Sequence, residues 1–355
     1  MRSRAAAIAN KRVTLKEVGE YAGVSAITVS RCLNSPEKVS KELREQVEAA
    51  VAALGYIPNQ FARSLASSRS KIIGVTVPSL TNTVFTDVLD GINHVMDGAG
   101  FRVLMADTRY SDEQEEKMLR TFLSQSPEAL IVTGGNQSSQ VRQLIINARI
   151  PVVQIMELVD EPIDMNIGFS HSQAGKDVAA HLLTLGKKRI GFIGARMDPR
   201  VLQRKEGFCS TIAKAGCFKE EFIELTQEPS SIAMGGELFR RLVTRLATQK
   251  MALPQALFCA NDDLALGALF EAQRQGIEVP KQLAICGFND VEASTYVNPS
   301  LTSVSVGRYD MGVKAAELIL KAINGETITK KIVKTPYQIN VRQSTSGKPT
   351  SSNAP

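Results

Sequence analysis

No stretch of about eighteen consecutive apolar residues occurs in the 355-residue chain, so no membrane-spanning helix is expected. The opening segment MRSRAAAIANKR is basic and lacks the apolar centre of a secretory signal, so the protein is expected to remain in the cytoplasm. Cysteine and histidine are scarce. The five cysteines (Cys32, Cys209, Cys217, Cys259 and Cys286) are odd in number, lie far apart and form no C-x-x-C pair. With only three histidines besides, neither a disulfide framework nor a zinc site is expected, and the cysteines read as reduced core residues. Catalytic signatures are also absent: no Walker sequence, no G-x-G-x-x-G after a strand and no G-x-S-x-G elbow. Asp262–Asp263 and Glu115–Glu116 are sequence neighbours that point to different helix faces, which suits them poorly to acid/base work. His94, His171 and His181 have no evident Ser or Cys partner and read as surface or satisfied histidines. The chain is read as a binding protein without metal or cofactor, and not as an enzyme.

Positive charge is unevenly placed. Residues 1–71 hold 12 of the 42 Lys/Arg but only 6 of the 36 Asp/Glu, which accounts for the whole net charge of +6. A basic module on a neutral body points to a polyanion partner for the module alone. Within it, Thr14-Leu15-Lys16-Glu17 fits a capping box that opens a first helix. Gly23 breaks the pattern, and Ser25 is an N-cap for a second helix running to about Leu33. A third helix starts near Ser40, with Leu43, Val47, Ala50, Val51 and Leu54 on one face, and ends at Gly55. Leu15, Val18, Ala22, Val24, Val29 and Leu33 form the small core of a helix-turn-helix. Its outward edge carries Ser25, Ala26, Ile27, Thr28, Ser30 and Arg31, with Thr14 and Asn34 beside them. In a major groove Arg31 can contact guanine, and Ala26 and Ile27 can offer apolar contact to a thymine methyl.

From Lys71 onward apolar strands alternate with helices. Segments 72–78, 101–107, 129–133 and 151–155 form one series, and 189–194, 256–260, 283–288 and 301–306 a second. Two β-α series imply two doubly wound subdomains, with a ligand cleft at the carboxyl ends of their strands. The expected divisions are a helix-turn-helix domain over 1–58, a segment over 59–70 that the family resemblance set out below implies to be a hinge and linker, and a core over 71–342. In that core one lobe takes about 71–168 and 301–328, and the other about 169–300 and 329–342. A polar, disordered tail covers 343–355, and its lack of leucine heptads excludes a C-terminal coiled coil.

The chain resembles the lactose/galactose repressor family. The likeness rests on V-T-L at 13–15, A-G-V-S at 22–25, T-V-S-R at 28–31, V-S at 39–40, G-Y-I-P-N at 55–59, A-R-S-L-A at 62–66 and I-G-V at 73–75. In the body it continues through A-N-D-D-L-A-L-G at 260–267 and P-S-L-T-S-V at 299–304. The resemblance implies a helix-turn-helix unit followed by two α/β subdomains of the periplasmic-binding-protein type. It further implies a homodimer on a pseudo-palindromic double-stranded operator, with Ala26 and Ile27 setting operator choice and Arg31 making a shared base contact. It implies a hinge helix from Asn59 through Ala62 to Ser67, with Leu65 wedged into the minor groove, where an apolar side chain can kink the duplex. A small-molecule effector is expected at Ser79, Thr81, Asn82, Phe85, Glu157, Arg204, Asn261 and Asn289; the family places Arg204 and Asn261 at the effector.

Within the family the chain is most similar to gluconate-utilisation repressors. P-S-L-T-N-x-V-F at 78–85, I-G-A-R at 193–196, F-C-A-N-D-D-L-A-L-G-A at 258–268 and E-A-Q-R at 271–274 carry that likeness. Asn289 stands where many sugar-responsive members have Asp. Removing that carboxylate while keeping Arg204 favours an anionic ligand, so gluconate or a ketogluconate is the expected effector. Glu157 weighs against an acid unless it meets hydroxyls instead. A solute-binding protein would share the body but not the basic module, and a sugar-acid enzyme is the weakest of the readings.

Overall fold

The computed structural model describes residues 13–57 and 69–346. The chain divides into two compact units at the Ser70–Lys71 boundary. The hinge residues Asn59, Ala62 and Leu65 lie outside the described residues.

The first unit is the expected three-helix arrangement: α1 (Leu15–Tyr21), α2 (Ala26–Asn34) and α3 (Lys41–Leu54). Thr14 and Glu17 close a reciprocal capping box on α1, the Thr14 N–H donating to Glu17 Oε2 at 2.7 Å. Ser25 and Ser40 cap α2 and α3, and Gly55 ends α3 in the left-handed conformation at φ 59°. The turn between α1 and α2 is tight: a Cβ on Gly19 would lie 2.7 Å from the Val24 carbonyl oxygen. Val18, Ala22, Val29, Cys32, Val47, Ala50 and Tyr56 fill the core. Gln46 Nε2 donates to the Ala22 carbonyl at 2.8 Å, tying α3 to the turn.

The second unit begins with β1 (Ile72–Val77), α4 (Thr83–Gly98), β2 (Arg102–Asp107), α5 (Asp112–Leu123), β3 (Ala129–Thr133), α6 (Ser139–Ala148), β4 (Val152–Ile155) and β5 (Met165–Gly168). The chain then continues through α7 (His171–Thr184), β6 (Ile190–Gly194), α8 (Pro199–Lys214), β7 (Ile223–Leu225), α9 (Ile232–Thr248), β8 (Ala256–Cys259), α10 (Asp262–Arg274) and β9 (Ala284–Cys286). It closes with α11 (Ala293–Tyr296), β10 (Ser303–Ser305), α12 (Arg308–Ile323), β11 (Ile332–Lys334), β12 (Gln338–Asn340) and α13 (Gln343–Ser346). A six-stranded sheet in the order β11-β5-β4-β3-β1-β2 forms the first lobe, and a four-stranded sheet β7-β6-β8-β9 the second. All pairings within these two sheets are parallel.

Several boundaries differ from the sequence expectation. The stretch 329–342 was expected wholly in the second lobe, but β11 pairs with β5 and completes the first-lobe sheet. The stretch 301–328 was expected in the first lobe, but β10 pairs antiparallel with β12 and Thr302 bridges Cys286 of β9. Only α12 of that stretch returns to the first lobe, where it packs on α4. Three-residue strands carry too little alternation to be read from sequence. Residues 343–346 of the expected disordered tail are helical, with Ser344 buried and its hydroxyl donating to the Ile285 carbonyl at 2.6 Å. The segment at 101–107, expected to be buried, is an edge strand with Met105 40% exposed.

Three helix pairs meet almost backbone to backbone. A Cβ on Gly91 would lie 2.2 Å from the Tyr309 carbonyl oxygen, and one on Gly312 2.1 Å from that of Val88, which fixes α4 against α12. Gly175 and Gly207 serve α7 and α8 in the same reciprocal way, facing the Arg204 and Ser172 carbonyls at 2.2 and 2.0 Å. Gly235 and Gly267 serve α9 and α10, facing Leu264 and Ile232 at 2.4 and 2.1 Å. A methyl at any of these positions forces the helices apart. Gly175→Ala is therefore expected to destabilise the protein by about 1–3 kcal/mol, measured as a lowered urea midpoint. Gly98→Ala, where an added Cβ meets nothing within 4 Å, should leave the midpoint unchanged or slightly raised.

Candidate functional site

Two surfaces gather the residues expected to act, one on each unit. On the first, α2 presents Ile27, 72% exposed, together with exposed Ser25, Arg31 and Asn34. Ala26, Thr28 and Ser30 lie half-buried beside them. The Ser25 hydroxyl accepts the Thr28 N–H at 3.1 Å, and Asn34 Nδ2 donates to Ser30 Oγ at 3.2 Å. Thr14 and Ser25 thus spend hydroxyl capacity on helix caps. Ile27 and Arg31 extend from the same helix, one apolar and one a planar donor fork, the pair of chemistries that base edges in a major groove can distinguish.

On the second unit a cavity of about 270 Å³ opens between the lobes, at the carboxyl ends of their strands. Ser79, Thr81, Asn82, Phe85, Arg204, Asn261 and Asn289 all line it, so seven of the eight expected effector residues converge. Glu157 does not. After β4 the chain bends with Met156 at φ 81°, and Met156 lines the cleft while Glu157 lines the neighbouring chamber. Its carboxylate is 2% exposed and accepts the Gly135 N–H at 2.5 Å and Asn136 Nδ2 at 3.4 Å. Burial raises its pKa, and the nearby Arg200 opposes that rise. It lines a separate side chamber of about 130 Å³ with Glu115, Thr133 and Gln137.

The structure adds Tyr110, Phe169, His171, Arg196, Asp198, Arg200, Ser230 and Asp263 to the cleft. Asp198-Pro199 gives a sequence signal that was available, an N-cap with proline at the first helical position, and it caps α8 through the Arg200 and Val201 N–H groups at 3.0 and 3.3 Å. Arg200 and Arg204 then fall one turn apart on the cleft face. Arg200 pairs with Asp198 at 3.5 Å. Arg204 is 7% exposed, donates to the Ala260 and Arg200 carbonyls and lies 4.2 Å over the Phe288 ring. Burial pushes its pKa down to about 10, so it remains charged at neutral pH. Arg196 lies 4.0 Å over the ring of Tyr110, joining the loop after β6 to the loop after β2 across the cleft.

Helix starts add to this positive field. Asn82, Ser170, Asp198 and Asn261 cap α4, α7, α8 and α10, and all four N-termini face the cavity. Their dipoles favour an anion, although each cap takes part of the first-turn N–H groups and Asp198 takes those of Arg200 and Val201 on α8. Three arginines and four helix N-termini stand against Asp198, already paired, and Asp263. The cleft loops also hold Tyr110, Met156, Arg196 and Asn289 at φ of 56°, 81°, 64° and 109°, strained geometry that surrounding packing must maintain.

A helix-turn-helix unit on one chain with a two-lobed, ligand-sized cleft is the architecture of a ligand-responsive DNA-binding regulator. Comparison with known proteins agrees. Residues 14–59 match the model of bacterial regulatory proteins of the lacI family, and residues 179–345 that of the periplasmic binding protein-like domain. The HTH-type transcriptional regulator GntR of Pseudomonas aeruginosa is 41% identical over 335 residues, covering 94% of this chain and 96% of that protein. That of Escherichia coli K12 is 36% identical over 323 residues, covering 91% and 96%. The crystal structure of the lac repressor dimer bound to operator and the anti-inducer ONPF matches with a TM-score of 0.79 at 27% identity, covering 94% of this chain and 99% of that one. The chain belongs to the LacI family of transcription regulators. Among the described residues no helix is long and apolar enough to cross a membrane.

The side chamber supplies a test of its own. Burial raises the Glu115 pKa to about 7, so the native state holds a proton that the unfolded chain releases at its ordinary pKa of 4.5. The stability carried by the protonated carboxyl is therefore complete below pH 4.5 and lost as pH rises through 7. Glu115→Gln is expected to raise the melting temperature at pH 8, by a gain on the order of 2–3 kcal/mol, and to make little difference at pH 4.5; calorimetric melts at both values check this.

Proposed function

We propose that this regulator is a cytoplasmic, homodimeric repressor of sugar-acid catabolism genes, released from a pseudo-palindromic operator when gluconate or a ketogluconate binds in the cleft. The single observation that carries the reading is the convergence of Arg196, Arg200 and Arg204 with four helix N-termini on one small cavity. Asn289 in place of a carboxylate and the turning away of Glu157 support it further, because each lowers the cost of bringing in an anion. Ser79, Thr81 and Asn82 across the cleft offer hydroxyls and an amide suited to a polyol chain. The activity requires binding alone, with no catalytic step.

Release works through differential affinity. An acid that draws the lobes together around itself favours one interlobe angle, and operator binding favours another. In the dimer that angle would set the separation of the two hinge segments, with Leu65 of each wedged into the minor groove. A phosphorylated sugar acid is the second reading, favoured by three arginines where one carboxylate needs fewer.

Isothermal calorimetry of the full chain against gluconate, 2-ketogluconate, 6-phosphogluconate and glucose tests the cleft. Saturable binding of an acid with glucose silent is expected, and tighter binding of glucose would overturn the reading. Fluorescence anisotropy on a duplex selected by the protein from a random pool tests the other unit. Arg200→Ala should weaken the acid at least about tenfold and leave operator affinity intact. Arg31→Ala should do the reverse, weakening the operator by about 1–3 kcal/mol. Leu65→Ala is expected to weaken specific DNA binding while calorimetry shows unchanged effector affinity; equal operator affinity would remove the wedge.

A further inference from the structure

His171 was expected to be a satisfied or surface histidine, and it is neither. The side chain is 2% exposed, lines the cleft, and neither Nδ1 nor Nε2 makes a well-formed hydrogen bond, although the Met156 backbone lies near enough to interact. Its ring packs on Phe169 at 4.4 Å between centroids and on Phe288 at 5.9 Å. Phe288 is also the ring beneath the Arg204 guanidinium, so imidazole and guanidinium share one aromatic neighbour. Buried polar groups rarely lack a well-formed hydrogen bond, because each unmade one costs stability.

We infer that His171 and Arg204 together read a 2-hydroxy carboxylate, the guanidinium holding the acid and the imidazole the neighbouring hydroxyl. The assignment rests on the acid-binding reading of the cleft and names the part of the ligand that His171 recognises. A carboxylate only accepts, whereas a neutral imidazole has one donor and one acceptor, which matches a hydroxyl that can do both. Several influences keep the ring neutral. Burial lowers its pKa well below the usual value, and the charges of Arg204 and Arg200 lower it further. Its place as the first residue of α7 adds the positive end of a helix dipole. On such an acid, hydroxyl and carboxylate sit on adjoining carbons, and here imidazole and guanidinium are grouped about the one Phe288 ring. The ligand hydroxyl then meets one imidazole nitrogen, donating to it or accepting from it according to the tautomer.

A merely structural histidine and a ligand-reading one respond oppositely to substitution. His171→Phe keeps the aromatic packing and removes a buried polar group that lacks a well-formed hydrogen bond, so the ligand-free variant is expected to melt no lower than the wild type. Calorimetry of the full-length protein against gluconate and 2-deoxygluconate, which keeps the acid and lacks the hydroxyl at carbon 2, gives the decisive comparison. The wild type is expected to prefer gluconate by about tenfold or more. In His171→Phe both acids should bind alike, at the weaker value, a coupling that a double-mutant cycle isolates. His171→Asn, which restores a donor and an acceptor, should recover part of the preference and serves if the phenylalanine variant folds poorly. Equal affinities of the wild type for the two acids, or a preference that survives in both variants, overturns the hydroxyl assignment and leaves the acid reading standing. Binding of neither acid by the wild type removes the acid reading and this assignment with it.

Discussion

The cleft depends on backbone-to-backbone contact between helices. Three glycine-faced pairs, α4 with α12, α7 with α8 and α9 with α10, bring helices so close that a single methyl would meet a carbonyl oxygen at 2.0–2.4 Å. Four of these helices begin at the cleft: α4 with Asn82 and Phe85, α7 with His171, α8 with Arg200 and Arg204, and α10 with Asn261. The site residues therefore inherit the rigidity of those pairs, and the interior of each lobe has little room to deform. Movement is left to the strands that cross between lobes, after β5, after β10 and after β11. Rigid lobes on short crossings convert a ligand's contacts into a change of interlobe angle, the hinge type of switching.

Burying positive charge in that frame is costly, and the structure offsets the cost only in part. Arg204 gives two donors to carbonyl oxygens and lies on Phe288, Arg200 has Asp198, and Arg196 has the face of Tyr110. These partners hold the groups in place without neutralising three cations and four helix ends. An anionic ligand supplies the missing countercharge in a setting already oriented for it, so little reorganisation accompanies binding. Because the arginines belong to the second lobe and Ser79, Thr81 and Asn82 to the first, a ligand with an acid end and hydroxyls engages both only when the lobes are near. That is the differential contact a switch requires.

Much of this was legible in the sequence where one residue type has one physical use. The capping box at Thr14, the N-caps at Ser25 and Ser40 and the left-handed Gly55 announce the helix-turn-helix, and apolar runs announce the strands flanking the cleft. Short elements were not legible: β5, β7, β11 and β12 have three or four residues, and their places follow from partners distant in the chain. The lobe assignment of 301–306 and 332–334 failed for that reason. Glu157 was misplaced because it follows the carboxyl end of β4, whereas the bend at Met156 carries its carboxylate to Gly135 and Asn136. His171 was undervalued because no sequence pattern shows that a buried ring will lack well-formed hydrogen bonds. That is a property of three dimensions alone.

On the proposed reading, arginines serve two anions of very different size, Arg31 on α2 and Arg196, Arg200 and Arg204 in the cleft, and shape keeps the two apart. The basic excess lies in the first 71 residues, where α2 holds Arg31 and Ile27 out in the open and a duplex can approach. The body carries equal numbers of acidic and basic residues, yet its cleft is locally positive, because three arginines line it against Asp198 and Asp263. A cavity of about 270 Å³ admits a six-carbon acid and excludes a phosphate backbone. A small anion therefore competes for nothing on the DNA-facing helix, and DNA cannot occupy the cleft. Coupling between two such sites requires each ligand to favour one of two conformations, which is the condition for an effector to control an operator complex.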